Sequence, residues 1–231
     1  MLLSILIPTL EERAESFAFI HAKLTRQIRE GGLEDEVEVL SLVDGGELPT
    51  GVKRNLLMEK ARGRFVASVD DDDDVHGHYV ALIVEAIRAT PDVDCVGIQG
   101  RVTFREHTSR RFVYSIRYGE YRTRGGVYER PPHHLNPIRA DIARQYPFEP
   151  VRTSEDSDWA LRLSRDGALQ TEVFIDDVLY HYRCRRAWAY QRLLDQTEFI
   201  RHPLGLQWVN RFRLRRWWQS LRAAPDRDAG G

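Results

Sequence analysis

The sequence has little cysteine, no long apolar segment and no excess of charge of either sign. Its two cysteines, Cys95 and Cys184, lack the spacing of a metal site, which favours ordinary buried thiols in a reducing compartment. Thirty-four basic residues against thirty-five acidic ones give a net charge of -1, so no general attraction to nucleic acid is expected. The apolar start has no basic residues before it, which favours a buried strand over a signal peptide. No segment is long enough to span a bilayer.

Strand and helix patterns alternate over the first 89 residues. The predicted strands are 2–7, 37–43 and 65–69, and the predicted helices are 11–30, 50–61 and 79–89. This alternation predicts an α/β protein, with a mostly parallel, Rossmann-like sheet flanked by helices. Ligands of such sheets bind beyond the carboxyl ends of the strands, so the residues that follow each strand are the first candidates for a site.

The second half of the sequence is less regular. We expect two or three strands within 93–118 and a polar loop over 119–136. Further expected elements are short helices at 138–145 and 155–165, strands at 169–175 and 178–182, and a mostly helical segment at 187–222. The predicted organisation is a catalytic domain at 1–185, a helical extension at 186–222 and a disordered tail at 223–231.

Five consecutive aspartates, Asp70 to Asp74, follow the third predicted strand directly. Two carboxylates about 4 Å apart repel each other by about 4 kcal/mol near a protein surface, so this repulsion has to be offset. A solvated acidic turn is the ordinary structure of such a run. Its place between a buried strand and a helix favours instead a bound divalent cation, Mn²⁺ or Mg²⁺, since these ions prefer oxygen ligands and accept substrate phosphates as further ligands.

Three segments in order over residues 4–74 read ILIPTLEER, then VDGG, then GVKRNLLMEKARGRFVASVDDDD. This ordered set resembles the nucleotide-binding half of a GT-A glycosyltransferase of the family 2 type. The resemblance implies a GT-A fold, with a nucleotide-binding half at 1–98 and an acceptor half at 99–185. It also implies that Asp70 and Asp72 form the metal-binding Asp-x-Asp pair, with Asp72 nearest the metal and the diphosphate. The extra aspartates leave the register open by one residue.

The resemblance places a nucleotide-sugar donor, with UDP, GDP or TDP as its nucleotide, against the ends of the first strands. The donor contacts expected there are Pro8, Thr9, Glu11, Arg13, Asp44, Arg54, Asp70 and Asp71. Among these, Asp44 would accept a hydrogen bond from the nucleobase, and Arg54 would reach a phosphate. Surface charge in a first helical turn is the alternative for Glu11 and Arg13, and a surface arginine is the alternative for Arg54. Lys53 is assigned to the surface.

The segment TSEDSDWALRL supplies the candidates for acceptor chemistry. By the same resemblance Asp156 is the general base that takes the proton of the acceptor hydroxyl. Glu155, Trp159 and His134 are expected on the acceptor side, and His181 is expected to complete the ligands of the metal. The alternatives are carboxylates that favour a helix N-terminus for Glu155 and Asp156, a core tryptophan, and a buried histidine satisfied by backbone. No role is assigned to the neighbouring His133.

The function expected from these residues is an inverting glycosyltransferase that uses a divalent cation and acts on a saccharide or lipid-linked acceptor in surface polysaccharide or glycan assembly. The alternatives are a catalytically silent nucleotide- or cation-binding protein of the same fold, and a metal-dependent phosphate-processing enzyme such as a nucleotidyltransferase. The basic amphipathic segment WVNRFRLRRWWQSLR packs on the domain or a second subunit, or contacts a membrane surface. The expected location is cytoplasmic, either free or peripheral at the inner membrane face.

Overall fold

A computed structural model describes residues 1–104 and 108–184, so the predicted extension at 186–222 and tail at 223–231 lie outside the described residues. The strands are β1 (Leu3–Leu10), β2 (Val37–Asp44), β3 (Phe65–Ser68), β4 (Asp74–Val75), β5 (Cys95–Phe104), β6 (Thr108–Tyr114), β7 (Arg122–Arg124), β8 (Val127–Arg130), β9 (Ile138–Arg139) and β10 (Glu172–Cys184). The helices are α1 (Ala14–Glu30, after a 3-10 turn at Glu11–Arg13), α2 (Thr50–Lys60), α3 (Tyr79–Ala89), α4 (Ala140–Ala143) and α5 (Glu155–Arg165). In this part of the chain no helix has the length and apolar character needed to cross a membrane.

The strands form one mixed sheet with the order β2-β1-β3-β9-β5-β6-β8-β7, and β10 lies against both β5 and β4. Strand β1 is parallel to β2 and to β3, and β10 is parallel to β5. Strand β9 is antiparallel to both β3 and β5, so it joins the first half of the sheet to the second. The predicted α/β architecture is confirmed, with antiparallel pairs added in the second half.

The central strand β1 is buried on both faces. Leu3 and Ile5 on one face have no exposed surface, and Ser4 and Leu6 on the other are 0% and 1% exposed, as expected where helices cover both sides of a sheet. This explains its nearly continuous apolar sequence, which lacks the alternation of a half-exposed strand. Because β1, β2 and β3 run in the same direction, the residues at their carboxyl ends meet at one edge of the sheet.

Two expectations for the second half were wrong. The segment 119–136, expected to be a loop, contains the hairpin β7–β8, whose turn is Gly125-Gly126 with φ angles of 57° and 77°. The two strands expected at 169–175 and 178–182 are one strand, β10, whose pairing with β5 is interrupted between Phe174 and Val178. Asp176 and Asp177 lie at this irregularity, and the break in the apolar pattern that they cause does not end the strand.

Helix α2 contacts the main chain of the segment that precedes α5. The Gly51 amide donates to the Val151 carbonyl at 3.1 Å. The Asn55 side chain donates to the Phe148 carbonyl at 2.9 Å and accepts from the Phe148 amide at 2.8 Å. A Cβ atom on Gly51 would lie 1.9 Å from the Glu149 carbonyl oxygen, so only glycine permits this approach. The Gly-x-x-Arg-Asn sequence of α2 therefore joins the two halves of the domain.

Replacing Gly51 with alanine is expected to lower the free energy of unfolding by about 2–3 kcal/mol, because the new Cβ has to displace backbone instead of a flexible side chain. Urea denaturation of the full chain measures this loss. Gly77→Ala is the matched control, since no atom lies within 4 Å of its Cβ position. Equal stability of the two variants would contradict the close approach.

Candidate active site

Polar side chains from four elements meet at the carboxyl edge of the parallel strands. Thr9 lies near the end of β1, Asp44 ends β2, and the aspartates follow β3. Helix α5 begins at Glu155, and its first turn faces this edge, since Arg54 contacts both Asp70 and Glu155. The predicted donor residues and the predicted acceptor residues therefore belong to one site.

The five aspartates alternate between buried and accessible positions. Asp71 and Asp73 are buried, whereas the side chains of Asp70 and Asp72 are 25% and 28% exposed. The backbone turns at this point, with Asp71 and Asp72 in the turn and the Asp73 amide donating to the Asp70 carbonyl at 3.3 Å. The turn leaves the Asp70 and Asp72 side chains partly accessible.

Partners within the chain offset much of the repulsion that the sequence analysis assigned to a cation. Asp71 accepts hydrogen bonds from the Thr9 hydroxyl at 2.6 Å and from Arg13 at 2.8 Å. The other partners are Arg54 and His134 for Asp70, Arg13 for Asp72, Tyr180 and the Arg183 amide for Asp73, and Lys23 and Arg183 for Asp74. The aspartate run is thus held by hydrogen bonds and ion pairs from within the chain.

The pKa values of two aspartates shift in opposite directions. Burial tends to raise the pKa of Asp70, but the charge of Arg54 and the hydrogen bond with His134 outweigh it and hold this pKa well below its ordinary value. Burial raises the pKa of Asp73 well above its ordinary value, and the neighbouring Asp70 adds to this rise. The Asp73 carboxyl is buried, and it accepts a hydrogen bond from the Tyr180 hydroxyl at 2.9 Å.

Arg54 is a buried bridge between the two halves of the site. Its side chain is 4% exposed, its Nη2 donates to Asp70 at 2.9 Å, and its Nε donates to Glu155 at 3.1 Å. The two carboxylates raise the pKa of Arg54 despite its burial, so the guanidinium stays charged. The predicted phosphate contact is replaced by this role, since Arg54 is not open to a substrate.

Asp156 lies beside two adjacent histidines. His133 Nε2 is 3.4 Å from Asp156 Oδ2, and His134 Nδ1 is 3.7 Å from the same oxygen. His134 Nε2 lies 3.3 Å from Asp70 Oδ2, so this ring connects the aspartate run to Asp156. Sequence reasoning missed His133, because nothing in the sequence indicated that the segment 131–137 passes under the first turn of α5.

The electrostatics of this cluster favour an ionised Asp156. Burial tends to raise the pKa of Asp156, but His133, His134 and Arg54 outweigh it, and the pKa falls below its ordinary value. Burial, together with the neighbouring His134, lowers the pKa of His133 to about 3, so this ring is neutral at neutral pH. Burial also raises the pKa of Glu155. Asp156 is therefore ionised at neutral pH and is 27% exposed, whereas Glu155 is buried against Arg54.

The backbone that presents Asp156 is strained. Ser154 precedes α5 with φ 67° and ψ 8°, the left-handed region, and its side chain makes no capping hydrogen bond. A left-handed conformation in a residue other than glycine costs of order 1–3 kcal/mol and is typical of functional sites. Gly32, Gly46, Gly125, Gly126 and Gly167 hold the other positive φ angles of the described residues.

Lys53, which was assigned to the surface, is buried. Its Nζ donates to the Thr9 carbonyl at 2.6 Å and forms an ion pair with Asp44. Asp44 also accepts from the Gly46 and Leu48 amides at 3.1 and 2.8 Å, so its carboxylate organises the turn after β2. The assignment of Lys53 to the surface was wrong because the sequence of α2 does not show that this lysine reaches a carboxylate at the end of another strand.

The remaining predicted residues divide into core and surface positions. Pro8 is buried within β1, and Glu11 is exposed in the 3-10 turn. Trp159 is 2% exposed, stacks on Phe148 at a ring distance of 4.8 Å and donates its indole N–H to the Tyr146 carbonyl. Trp159 therefore packs in the core, which is the alternative given for it above, and a place beside the acceptor stays a prediction.

Two separate groups of residues could hold a cation. Within residues 1–104 and 108–184, three metal-ligating side chains have donor atoms within 4.8 Å of one another at His133, His134 and Asp156. The second group is the accessible pair Asp70 and Asp72, whose oxygens suit Mg²⁺ or Mn²⁺. His181 pairs with Asp74 across β10 and β4, at the other end of the aspartate run from Asp70. Its role as a metal ligand stays a prediction.

Comparison with solved structures shows that the chain has the GT-A fold, as the sequence resemblance implied. S. aureus TarS residues 1–349 in complex with UDP has a TM-score of 0.53 and 16% identity, over 79% of this chain and 60% of that chain. The same TarS fragment with UDP-GlcNAc has a TM-score of 0.53 and 14% identity, over 80% of this chain and 59% of that one. The chain therefore spans about three fifths of the TarS fragments it resembles. No protein-family model matches the sequence, and no curated protein matches it significantly.

Proposed function

We propose that the chain is an inverting glycosyltransferase that moves a sugar from a nucleotide-sugar donor to an acceptor hydroxyl. The observation that carries this proposal is the chain of contacts from Asp70 through His134 to Asp156, because it joins a candidate diphosphate site to a candidate base. The GT-A fold supports it, and the similar TarS structures contain UDP or UDP-GlcNAc. The acceptor we propose is a saccharide or a lipid-linked saccharide of a surface glycan.

Asp156 is the proposed base. Its lowered pKa keeps the carboxylate ionised at neutral pH, and its side chain is 27% exposed, so an acceptor hydroxyl can reach it. A base on the side of the sugar opposite the leaving diphosphate gives inversion at the anomeric carbon. Retention by double displacement requires a nucleophile close to that carbon, and we assign no residue to that role.

Asp70 and Asp72 are the residues proposed to hold a divalent cation. Both side chains are partly exposed, and a cation held by one or two carboxylates keeps positions for phosphate oxygens. When bound, such a cation stabilises the charge that develops on the leaving diphosphate. Arg13 lies 3.6 Å from Asp72 and is 44% exposed, so it can approach the same phosphates. Asp71 is not proposed as a ligand, since its side chain is only 2% exposed.

Replacing Asp72 with asparagine is expected to weaken binding of a nucleoside diphosphate in the presence of Mn²⁺ by about tenfold or more, since a charged hydrogen-bond or metal partner contributes ~1.5–3 kcal/mol. Isothermal titration of UDP, with and without Mn²⁺, measures the effect. We expect the difference between the two conditions to vanish in the variant.

The matched control is Asp92→Asn, which makes the same chemical change at a side chain that is fully exposed. This control should keep the Mn²⁺ dependence of the wild type. An Asp72→Asn variant that binds UDP and Mn²⁺ as the wild type does would exclude Asp72 as a ligand and return the aspartate run to a purely structural role.

A further inference from the structure

The cluster of His133, His134 and Asp156 has a property that base catalysis alone does not require. Both histidines are 6% exposed, and the Nδ1 atom of each is buried without a hydrogen-bond partner. Unpartnered buried polar atoms are uncommon in folded proteins, and the one that faces Asp156 here is Nδ1 of His134, whereas His133 faces it with Nε2.

The contact of His134 with Asp70 determines which of its nitrogens carries a proton. Nε2 faces the Asp70 carboxylate at 3.3 Å, and a proton there makes Nε2 the donor. In the neutral ring this leaves a lone pair on Nδ1, which lies 3.7 Å from Asp156 Oδ2. Two hydrogen-bond acceptors, His134 Nδ1 and Asp156 Oδ2, thus face each other without a proton between them. A cation bound between them stabilises this arrangement.

A carboxylate behind a metal-binding histidine is the usual arrangement in metalloproteins, because it fixes the tautomer and strengthens the ligand. Asp70 occupies that position behind His134. Tetrahedral Zn²⁺ with bonds of about 2.0–2.1 Å places its ligand atoms about 3.3–3.4 Å apart. The separations of 3.4 and 3.7 Å from Asp156 Oδ2 to the two imidazole nitrogens come close to this value.

We propose that His133, His134 and Asp156 form a binding site for a divalent transition metal such as Zn²⁺, distinct from the carboxylate site at Asp70 and Asp72. Two imidazoles and one carboxylate suit Zn²⁺ better than Mg²⁺, which prefers oxygen ligands alone. Three protein ligands leave a fourth position, and the partly exposed Asp156 gives it access to solvent. Zn²⁺ bound here occupies the carboxylate lone pair with which Asp156 would accept the acceptor proton, so it inhibits sugar transfer. This inhibition rests on the proposed function, whereas Zn²⁺ binding does not.

Zn²⁺ titration of the metal-free full chain against a chromophoric chelator, without nucleotide, tests the site. His133→Gln and His134→Gln should each weaken Zn²⁺ binding at least tenfold, and Asp70→Asn, which keeps all three proposed ligands and changes the group behind His134, should weaken it by about 10–100-fold. His78→Gln is the matched control, since His78 is exposed and its ring also lies near another histidine, His76, at 5.7 Å. The control should bind Zn²⁺ as the wild type does.

X-ray absorption at the zinc edge of the wild-type protein needs no variant and therefore does not depend on how the glutamine variants fold. The expected spectrum contains scattering from two imidazole rings. Oxygen ligands alone, or unchanged affinity in both histidine variants, would overturn the site. Tight Zn²⁺ binding by two imidazoles without inhibition of sugar transfer would leave the site in place and contradict the role of Asp156 as the base.

Discussion

Replacing Asp156 with asparagine is expected to lower kcat by about 10²–10⁴-fold, the usual cost of losing a positioned general base. Asparagine keeps the size of the side chain and an oxygen that can accept the Ser157 amide hydrogen bond, which is 2.7 Å long. It cannot take a proton. Donor affinity should stay within a few fold, because the proposed diphosphate ligands are Asp70 and Asp72. Nucleotide release at saturating donor, paired with direct donor binding, measures both quantities.

Asp158→Asn is the control for this experiment. Asp158 is on the same helical turn but is 49% exposed and pairs with Arg162 at 2.7 Å, away from the histidines. It should retain wild-type turnover. Near-normal turnover of Asp156→Asn would exclude Asp156 as the base, and Glu155 would then be tested. A loss of donor binding would instead place this pair of acids in the nucleotide site.

Replacing Arg54 with methionine is expected to lower the free energy of unfolding by about 3–5 kcal/mol, because it leaves two carboxylates without their shared cation. Asp70 and Glu155 lose contacts of 2.9 and 3.1 Å that a methionine cannot replace. Chemical denaturation measures the loss. Since Arg54 joins the proposed donor and acceptor groups, the folded fraction of this variant should also lose turnover.

Arg26→Met makes the same substitution on an exposed helix surface. Arg26 is 57% exposed and lies 3.9 Å from Glu30, so its loss should change stability by less than about 0.5 kcal/mol. If Arg54→Met were as mild as this control, the buried bridge would not contribute to stability, and the connection between the two halves of the site would rest on α2 backbone contacts alone.

The sequence predicted the fold best in its first half, where the apolar periodicity of each segment is regular. In the first 89 residues, apolar runs and helical spacing predicted β1 to β3 and α1 to α3, because helices on both faces of the sheet impose that pattern. In the second half the signal weakens. The hairpin at 122–130 carries three arginines and one tyrosine in place of an apolar face, and Arg130 lies 4.6 Å from the centre of the ring of the preceding Tyr121. Contacts of this kind stabilise strands without leaving an apolar pattern.

Prediction of the site was limited by contacts that are distant in sequence. The proximity of Asp70, His134 and Asp156 depends on the path of β9 between β3 and β5, which local sequence does not specify. The burial of Lys53 depends likewise on Thr9 and Asp44, which belong to other strands. Motif positions indicated which residues belong to the site, whereas the fold determined which of them bind substrate and which hold the site together.

The most direct test of the account is a crystal structure of the protein with an intact nucleotide sugar and Mn²⁺. We expect the diphosphate beside Asp72, the nucleobase toward the turn after β2, and the anomeric carbon between the diphosphate and Asp156, with Asp156 on the opposite side from the leaving group. A nucleotide bound away from the ends of β1, β2 and β3, or a sugar whose anomeric carbon faces away from Asp156, would contradict the proposed transfer.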